Sequence, residues 1–358
     1  MRAALFVGVD EPISVEEVTP LPPGPRDVVV RIGASGVCHS DLSLVNGTLP
    51  FPPPAILGHE SAGVIEEVGR EVTSLKPGDR VISSFIASCG ECWYCAHDLP
   101  YVCGNTQSIQ GLIHANRSDG SPLTCLGGLG TMAEAMTVDE RLVIPVHSDL
   151  PDEQLALIGC GITTGVGAAL MTAEVTPGST VAVVGCGGVG QSVIQGSRIA
   201  GAEKIVAIDP IDLKLKSALS MGATHTVNPE LVDPVEAVRE LTGGRGADYG
   251  IEVVGSPTTV RQTVEMVRSA GTVVVIGVMR MTEMIELHGL TFIYGAKRVI
   301  GSFGGSATPK IDFPRFVEWA ENGQLDLGSM VSRKYSLDEV NDAFAATAAG
   351  EVLRAVLV

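Results

Sequence analysis

Two rhythms of apolar and polar positions divide the chain. From residue 28 to about 146, apolar residues come in short Val and Ile runs, VVVRI, SAGVIEEVG and DRVISSF, separated by the Pro and Gly clusters TLPFPPPAILG and LKPGD. That punctuation predicts a mainly β region. From Thr180 the pattern alternates between strand and helix: TVAVVG, a helix over about 189–200, KIVAID, a helix near 213–221, and HTV. It continues with a helix near 234–242, GADYGIEVVG, a helix near 258–270, GTVVVIGV and RVIGSF. Six apolar strands with helical crossovers predict a complete doubly wound parallel sheet, so the fold class is α/β. After Gly305 the pattern predicts a helix near 313–322 and a strand-like tail ending VLRAVLV, which returns to the first domain. No internal repeat or low-complexity tract is visible.

The length of 358 residues fits two domains, each large enough to bury a core. One stretch, QLALIGCGITTGVGAALMTA at 154–173, is twenty residues without a charge. That is the length of a membrane span, but its four glycines and three threonines favour a buried helix or turn passing between domains. Apolar residues at 45% and charged residues at 18% describe a globular protein. The formal charge of −17 repels phosphate backbones and anionic lipid, so neither nucleic acid nor a membrane is an expected partner. The opening MRAALFVGVDEP lacks the apolar core of a signal peptide, and a cytoplasmic location is the expectation. In that compartment eight cysteines point to metal or structural thiols before disulfides.

Gly185, Gly187 and Gly190, with Gly188 and Val189 between them, form G-x-G-x-x-G directly after an apolar strand and at the start of a helix. The first glycine permits the turn, the second admits a pyrophosphate to the backbone, and the third lets helix and strand pack closely. The helix N-terminus then offers amides and a positive dipole to the phosphates. Asp209 ends the next strand, twenty-four residues after the first glycine, where a carboxylate would bond the adenosine ribose hydroxyls and repel a 2′-phosphate. With no Arg at 210 or 211, NAD is expected over NADP.

Cysteines stand in two sets. Cys89, Cys92, Cys95 and Cys103 have the spacing C-x2-C-x2-C-x7-C, and four thiolates fill every position of a tetrahedral zinc, which makes the site structural. An iron-sulfur cluster and a redox dithiol are the rival readings, and the charge disfavours a nucleic-acid-binding zinc ribbon. Cys38, His59 with Glu60, and Cys160 are scattered, and spacing alone assigns them nothing, since buried cysteines and satisfied histidines are common.

The chain resembles the zinc-dependent medium-chain alcohol dehydrogenases over nearly its whole length. The resemblance rests on GHE-x-x-G-x-x-x-x-x-G-x-x-V from Gly58 to Val72, KPGDRV at 76–81, the four-cysteine lobe, GCG at 159–161 and the glycine fingerprint. Within the family it is most similar to bacterial branches related to class III, including aryl-alcohol and mycothiol-dependent formaldehyde dehydrogenases. The resemblance implies a GroES-like catalytic domain, mainly β and carrying the structural zinc lobe, over 1–161 and 303–358, and an NAD-binding Rossmann domain over 162–302. It implies two zincs per subunit, with Cys38, His59 and Cys160 holding the catalytic one, Glu60 close by as an exchangeable ligand, and Asp41 accepting from His59. Ser40 takes the family position that receives the alcohol proton. Ser43 stands where many relatives carry a histidine, so proton exit is expected to pass through water, with His39 as the other candidate. His39 and Arg354 match positions against the pyrophosphate, Lys214 one on the adenosine ribose, and Thr164, Val189, Ile276 and Val278 positions around the nicotinamide. Leu49 and Phe85 match pocket walls, with Ser302 nearby, and suit an apolar alcohol. MRMTEM at 279–284 is read as a lining of the substrate mouth or of an interface, or as ordinary packing, with packing the first expectation for each methionine. The implied reaction is NAD-linked oxidation of a primary alcohol, or reduction of the aldehyde, by a homodimer or homotetramer pairing through RVIGSF. The alternatives are a thiol-adduct formaldehyde dehydrogenase and a catalytically silent binding protein.

Overall fold

Antiparallel pairing around one long strand organises the β region. The computed structural model describes residues 1–110 and 113–358. These divide into two compact units, Met1–Cys160 with Thr308–Val358, and Gly161–Ala307. In the first, β1 (Asp27–Val37) pairs antiparallel with β2 (Ser61–Val68), which pairs with β3 (Arg80–Ser83). Strand β4 (Ala135–Asp139) pairs with β1, and β5 (Val143–Pro145) with β3. Alternate residues of these strands turn inward, and Val28, Val30, Ile65, Val81, Met136, Val138 and Leu142 form one buried cluster. Each such side chain contributes about 1.5–3 kcal/mol on burial. A second sheet gathers Arg2–Phe6, Ser14–Glu17, Ala55–Ile56 and Pro122–Cys125.

The β1–β2 register decides what meets at one end of the sheet. Ser35 lies opposite Ser61. Just beyond that pair, Cys38 leads from β1 into α1 (His39–Val45), and His59 and Glu60 precede β2.

Residues 152–172 form one helical stretch with two π-helical turns, the first at Ile158–Ile162. It is long and apolar enough to cross a membrane, yet 78% of its most apolar window is buried in the fold, which makes it a core helix.

The second unit holds β6 (Thr180–Val184), β7 (Lys204–Ile208), β8 (His225–Val227), β9 (Ala247–Glu252), β10 (Val267–Val275) and β11 (Arg298–Gly301). All pair in parallel, in the order β8-β7-β6-β9-β10-β11, the doubly wound order with a switch point beside β6. Helix α2 (Gly188–Ile199) follows β6 and α3 (Asp212–Met221) follows β7. The helix expected over 258–270 instead ends at Met266: Val267 pairs with Ala247 and opens β10. Tertiary pairing of a buried valine overrides a local pattern that carries no breaker before Gly271.

The chain then returns to the first unit. A helix over Pro309–Glu321 starts four residues ahead of the expected 313, because Pro309 suits a first helical position and the Asp312 carboxylate accepts the Thr308 amide at 2.7 Å. Strand β12 (Val331–Tyr335) pairs with β13 (Arg354–Leu357), which lies antiparallel to β1 with Ala355 opposite Val37. Arg354 therefore arrives beside the end of β1, next to Cys38.

Candidate metal centres and nucleotide turn

The thiols of Cys38 and Cys160 and the imidazole of His59 converge in the first unit, all three buried and with ligand atoms within 4.8 Å of one another. Gly159 lets the helix carrying Cys160 approach, since a Cβ there would lie 2.8 Å from the Ser83 carbonyl and 3.3 Å from the Glu60 Cα. Asp41, fully buried in α1, accepts the Gly58 amide at 3.0 Å and the Cys38 amide at 3.2 Å, and its Oδ1 lies 3.3 Å from His59 Nδ1. One carboxylate thus fixes both ligand-bearing segments and leaves Nε2 as the remaining ring nitrogen for a metal.

Charges at this point are mutually dependent. Burial works against a charged imidazole, but Asp41, and after it the Cys38 thiol, outweigh burial and push His59 up to about 10. Cys38 moves the other way, well below the ordinary thiol value, chiefly through Cys160 and with help from His59 and Arg354, while burial opposes. A divalent ion at this donor set needs the thiols deprotonated and the imidazole neutral, so its binding is coupled to proton release. Two thiols and an imidazole fit zinc with three protein ligands.

Glu60 is not one of that converging group. Fully buried, it ion-pairs with Arg354, itself only 4% exposed. Gly36 makes room for the carboxylate, because a Cβ there would sit 2.6 Å from it. The resemblance assigns Glu60 to the metal and Arg354 to the cofactor; the structure joins them to each other. One signal was available in sequence, since Arg354 interrupts an otherwise apolar strand, VLRAVLV, and buried arginines are almost always paired.

Ser40 is half-buried, with its hydroxyl 3.7 Å from Cys38 Sγ. Phe85 presents its ring edgewise to His59, 6.0 Å between centroids at 84°, a contact the sequence did not reveal. Leu49, half-buried, packs against the cluster of Val37, Leu44 and Phe344, and its amide donates to the Ser43 carbonyl at 2.8 Å. His39 is exposed at the first position of α1.

The other four cysteines also converge, with sulfurs within 4.8 Å of one another. Cys89 and Cys95 are 3.9 Å apart and Cys92 and Cys103 3.8 Å. A tetrahedral zinc with bonds of about 2.3 Å needs sulfurs about 3.8 Å apart, whereas a disulfide needs about 2.05 Å. Backbone amides point at the sulfurs: Cys92 N donates to Cys89 at 3.3 Å, and Cys89 N and Asn105 N to Cys103 at 3.4 Å each. The amides of Cys95 and Gly104 pull Cys92 down to about 6, while burial pushes Cys95 up to about 12.

In the second unit the three fingerprint glycines meet three different demands. Gly185 has φ +91°, and a Cβ would strike Val254 at 2.8 Å; Gly190 packs so that a Cβ would lie 1.9 Å from the Gly185 carbonyl. Gly187 faces open space, with nothing within 4 Å of a Cβ, leaving the approach a pyrophosphate requires. Gly188 and Val189 open α2 half-buried. Asp209 is 5% exposed and accepts the Cys186 amide at 2.8 Å and the Ile211 amide at 2.9 Å. Lys214 is half-buried in the first turn of α3. Thr164 is buried beside Gly165, whose missing side chain lets α2 come close, a Cβ there lying 2.4 Å from the Val189 carbonyl. Ile276 donates its amide to the Glu252 carbonyl at 2.9 Å, and Val278 beyond it is exposed. Ser302 bonds the Thr172 hydroxyl at 2.9 Å. In the isolated chain Met281 and Met284 are not packed, at 76% and 78% exposed on the irregular segment that follows β10.

Two family models match the chain, the alcohol dehydrogenase GroES-like domain over residues 24–148 and zinc-binding dehydrogenase over 188–322. The putative alcohol dehydrogenase D of Mycobacterium tuberculosis is 35% identical over 364 residues, covering 99% of either chain. The chain belongs to the zinc-dependent alcohol dehydrogenases. The NDMA-dependent alcohol dehydrogenase of Amycolatopsis methanolica is likewise 35% identical, over 370 residues covering 100% of this chain and 98% of that one. Benzyl alcohol dehydrogenase from Acinetobacter calcoaceticus matches in structure with a TM-score of 0.93 at 30% identity, covering 99% of this chain and 98% of that one. Like those relatives, this alcohol dehydrogenase combines a GroES-like domain with a Rossmann-type parallel sheet.

Proposed function

We propose that this alcohol dehydrogenase oxidises a primary alcohol, aromatic or allylic, to the aldehyde with NAD as hydride acceptor, and that it holds two zincs per subunit. The carrying observation is the buried convergence of Cys38, His59 and Cys160, a set with three protein ligands, beside a separate set of four. When bound, zinc at the first set supplies Lewis acidity toward the substrate oxygen, and the nicotinamide accepts the hydride. Asp41 keeps the imidazole oriented, and Phe85 gives the ligand set an apolar edge. Ser40 receives the hydroxyl proton, which then reaches solvent through water, since Ser43 has no basicity near neutral pH. The second set, with all four ligands from protein, braces its lobe.

NAD is preferred because the Asp209 carboxylate, tied to two backbone amides, cannot withdraw from a 2′-phosphate. The aromatic alcohol is supported by Phe85 and by the name of the Acinetobacter relative. A homodimer or homotetramer in the cytoplasm completes the reading, with the edge strand β11 as pairing surface. The test is a screen of benzyl, allyl and aliphatic alcohols with NAD, with NADP, and with NDMA as added acceptor, followed by metal analysis. NAD-dependent turnover of benzyl alcohol with two zincs per subunit is expected. Turnover of formaldehyde only with a low-molecular-weight thiol would replace this reading with the thiol-adduct one, and no turnover of any alcohol would end it.

A further inference from the structure

Gln191 follows the last fingerprint glycine and is fully buried on the sheet side of α2. Both hydrogens of its side-chain amide are used. Nε2 donates to the Cys186 carbonyl at 2.8 Å and to the Lys214 carbonyl at 3.0 Å. The first belongs to the glycine turn and the second to the opening of α3, two segments more than twenty residues apart in sequence.

These bonds close a ring. Cys186 N donates to Asp209 Oδ2 at 2.8 Å, Ile211 N to Asp209 Oδ1 at 2.9 Å, and Lys214 N to the Ile211 carbonyl at 3.0 Å. The Cys186 peptide is therefore held at its N–H by Asp209 and at its C=O by Gln191. Around this circuit lie the open face at Gly187 on one side and Asp209 with Lys214 on the other. Only a neutral side chain with two N–H groups can bridge two carbonyls at this depth without burying a charge. A glutamate would face both carbonyls with lone pairs, and a methionine would fill the space and donate nothing. Gln191 Oε1 is buried with no hydrogen-bond partner among the described residues, so the bonds this side chain makes are the two donated by Nε2.

We propose that Gln191 is a positioning residue for the nucleotide: by tying the glycine turn to α3 it sets the span between the pyrophosphate amides and the Asp209 end, and so the fit of the adenosine diphosphate half. The proposal rests on the nicotinamide-nucleotide reading above. It concerns one half of the cofactor only, and half-cofactors provide its test.

Calorimetric binding of ADP-ribose and of nicotinamide mononucleotide is compared for wild type, Gln191→Met and Gln191→Glu. Loss of two neutral hydrogen bonds is expected to weaken ADP-ribose roughly tenfold in Gln191→Met. Gln191→Glu should weaken it further, with mononucleotide binding unmoved in both variants. In turnover, the loss should appear in KM for NAD, with kcat at saturating NAD and KM for the alcohol retained, a split that general destabilisation does not produce. Wild-type affinity for ADP-ribose in Gln191→Met, or equal loss of both halves, overturns the proposal while leaving the nucleotide reading intact. Wild type that binds neither NAD nor ADP-ribose overturns that reading as well. If Gln191→Met does not fold, hydrogen exchange on wild type decides: ADP-ribose should slow the amides of Cys186 and Ile211 together. Protection of one without the other refutes the ring.

Discussion

The two cysteine sets use similar donors and reach them by opposite routes. Cys89, Cys92, Cys95 and Cys103 come from fifteen consecutive residues, lie mostly half-exposed, and receive backbone amides from their own loop. Cys38, His59 and Cys160 come from the end of a strand, the residues just before its partner and a core helix, and Asp41 steers the imidazole among them. The first set is gathered within one loop; the second is assembled from distant parts of the chain. Stability should therefore answer to the first set and turnover to the second.

The strongest way to break that contrast is Cys160→Ala. Removing one of three ligands should lower kcat/KM by about 10³-fold or more, because several kcal/mol of Lewis-acid stabilisation is lost. Metal analysis should find one zinc per subunit in place of two, with the thermal midpoint nearly kept. A variant that retains both zincs and most of its turnover would show that Cys160 is not a ligand.

The next largest effect is expected at the ion pair beside the trio. Arg354→Met removes the cationic partner of the buried Glu60 carboxylate, at a cost of about 3–5 kcal/mol in unfolding free energy. Adding Glu60→Gln should recover much of that cost, as measured by chemical denaturation of the single and double variants. Strict additivity would mean the two side chains are not coupled. This pair also marks the limit of sequence reading. The parallel sheet was legible because strands buried on both faces read as continuous apolar runs, and the glycine turn because each glycine answers a separate steric demand. Glu60 and Arg354 sit far apart in sequence, and only the register of β13 on β1 brings them together. The same limit hid the strand start at Val267, where pairing with Ala247 decides, and the exposure of Met281 and Met284, since methionine composition is silent about what covers it.

Cys92→Ser tests the other side of the contrast. Three remaining thiols cannot close a tetrahedral site, so one zinc should be lost and the thermal midpoint should fall by a few degrees. Turnover per folded molecule should change little. If the variant keeps its zinc count and its midpoint, the lobe is not the brace proposed; if kcat falls while stability holds, the division of labour between the two sets is wrong.

The smallest expected effect sharpens how the trio exchanges protons. Ser40 and Ser43 are three residues apart on α1, hence neighbours on one face of that helix, and both are half-buried. A serine hydroxyl at 43 can relay a proton but cannot hold one near neutral pH, whereas an imidazole there titrates close to 6.5. Ser43→His should therefore leave zinc content and KM for the alcohol unchanged, raise kcat less than tenfold above neutral pH, and add an ionisation near 6.5 to the pH profile. The imidazole is a base only above its pKa, so the gain should vanish as pH falls through that value. The solvent isotope effect should shrink in parallel, because a fixed base replaces part of a water path. An unchanged profile and isotope effect would mean that proton exit at position 43 does not limit turnover, leaving Ser40 and solvent sufficient by themselves.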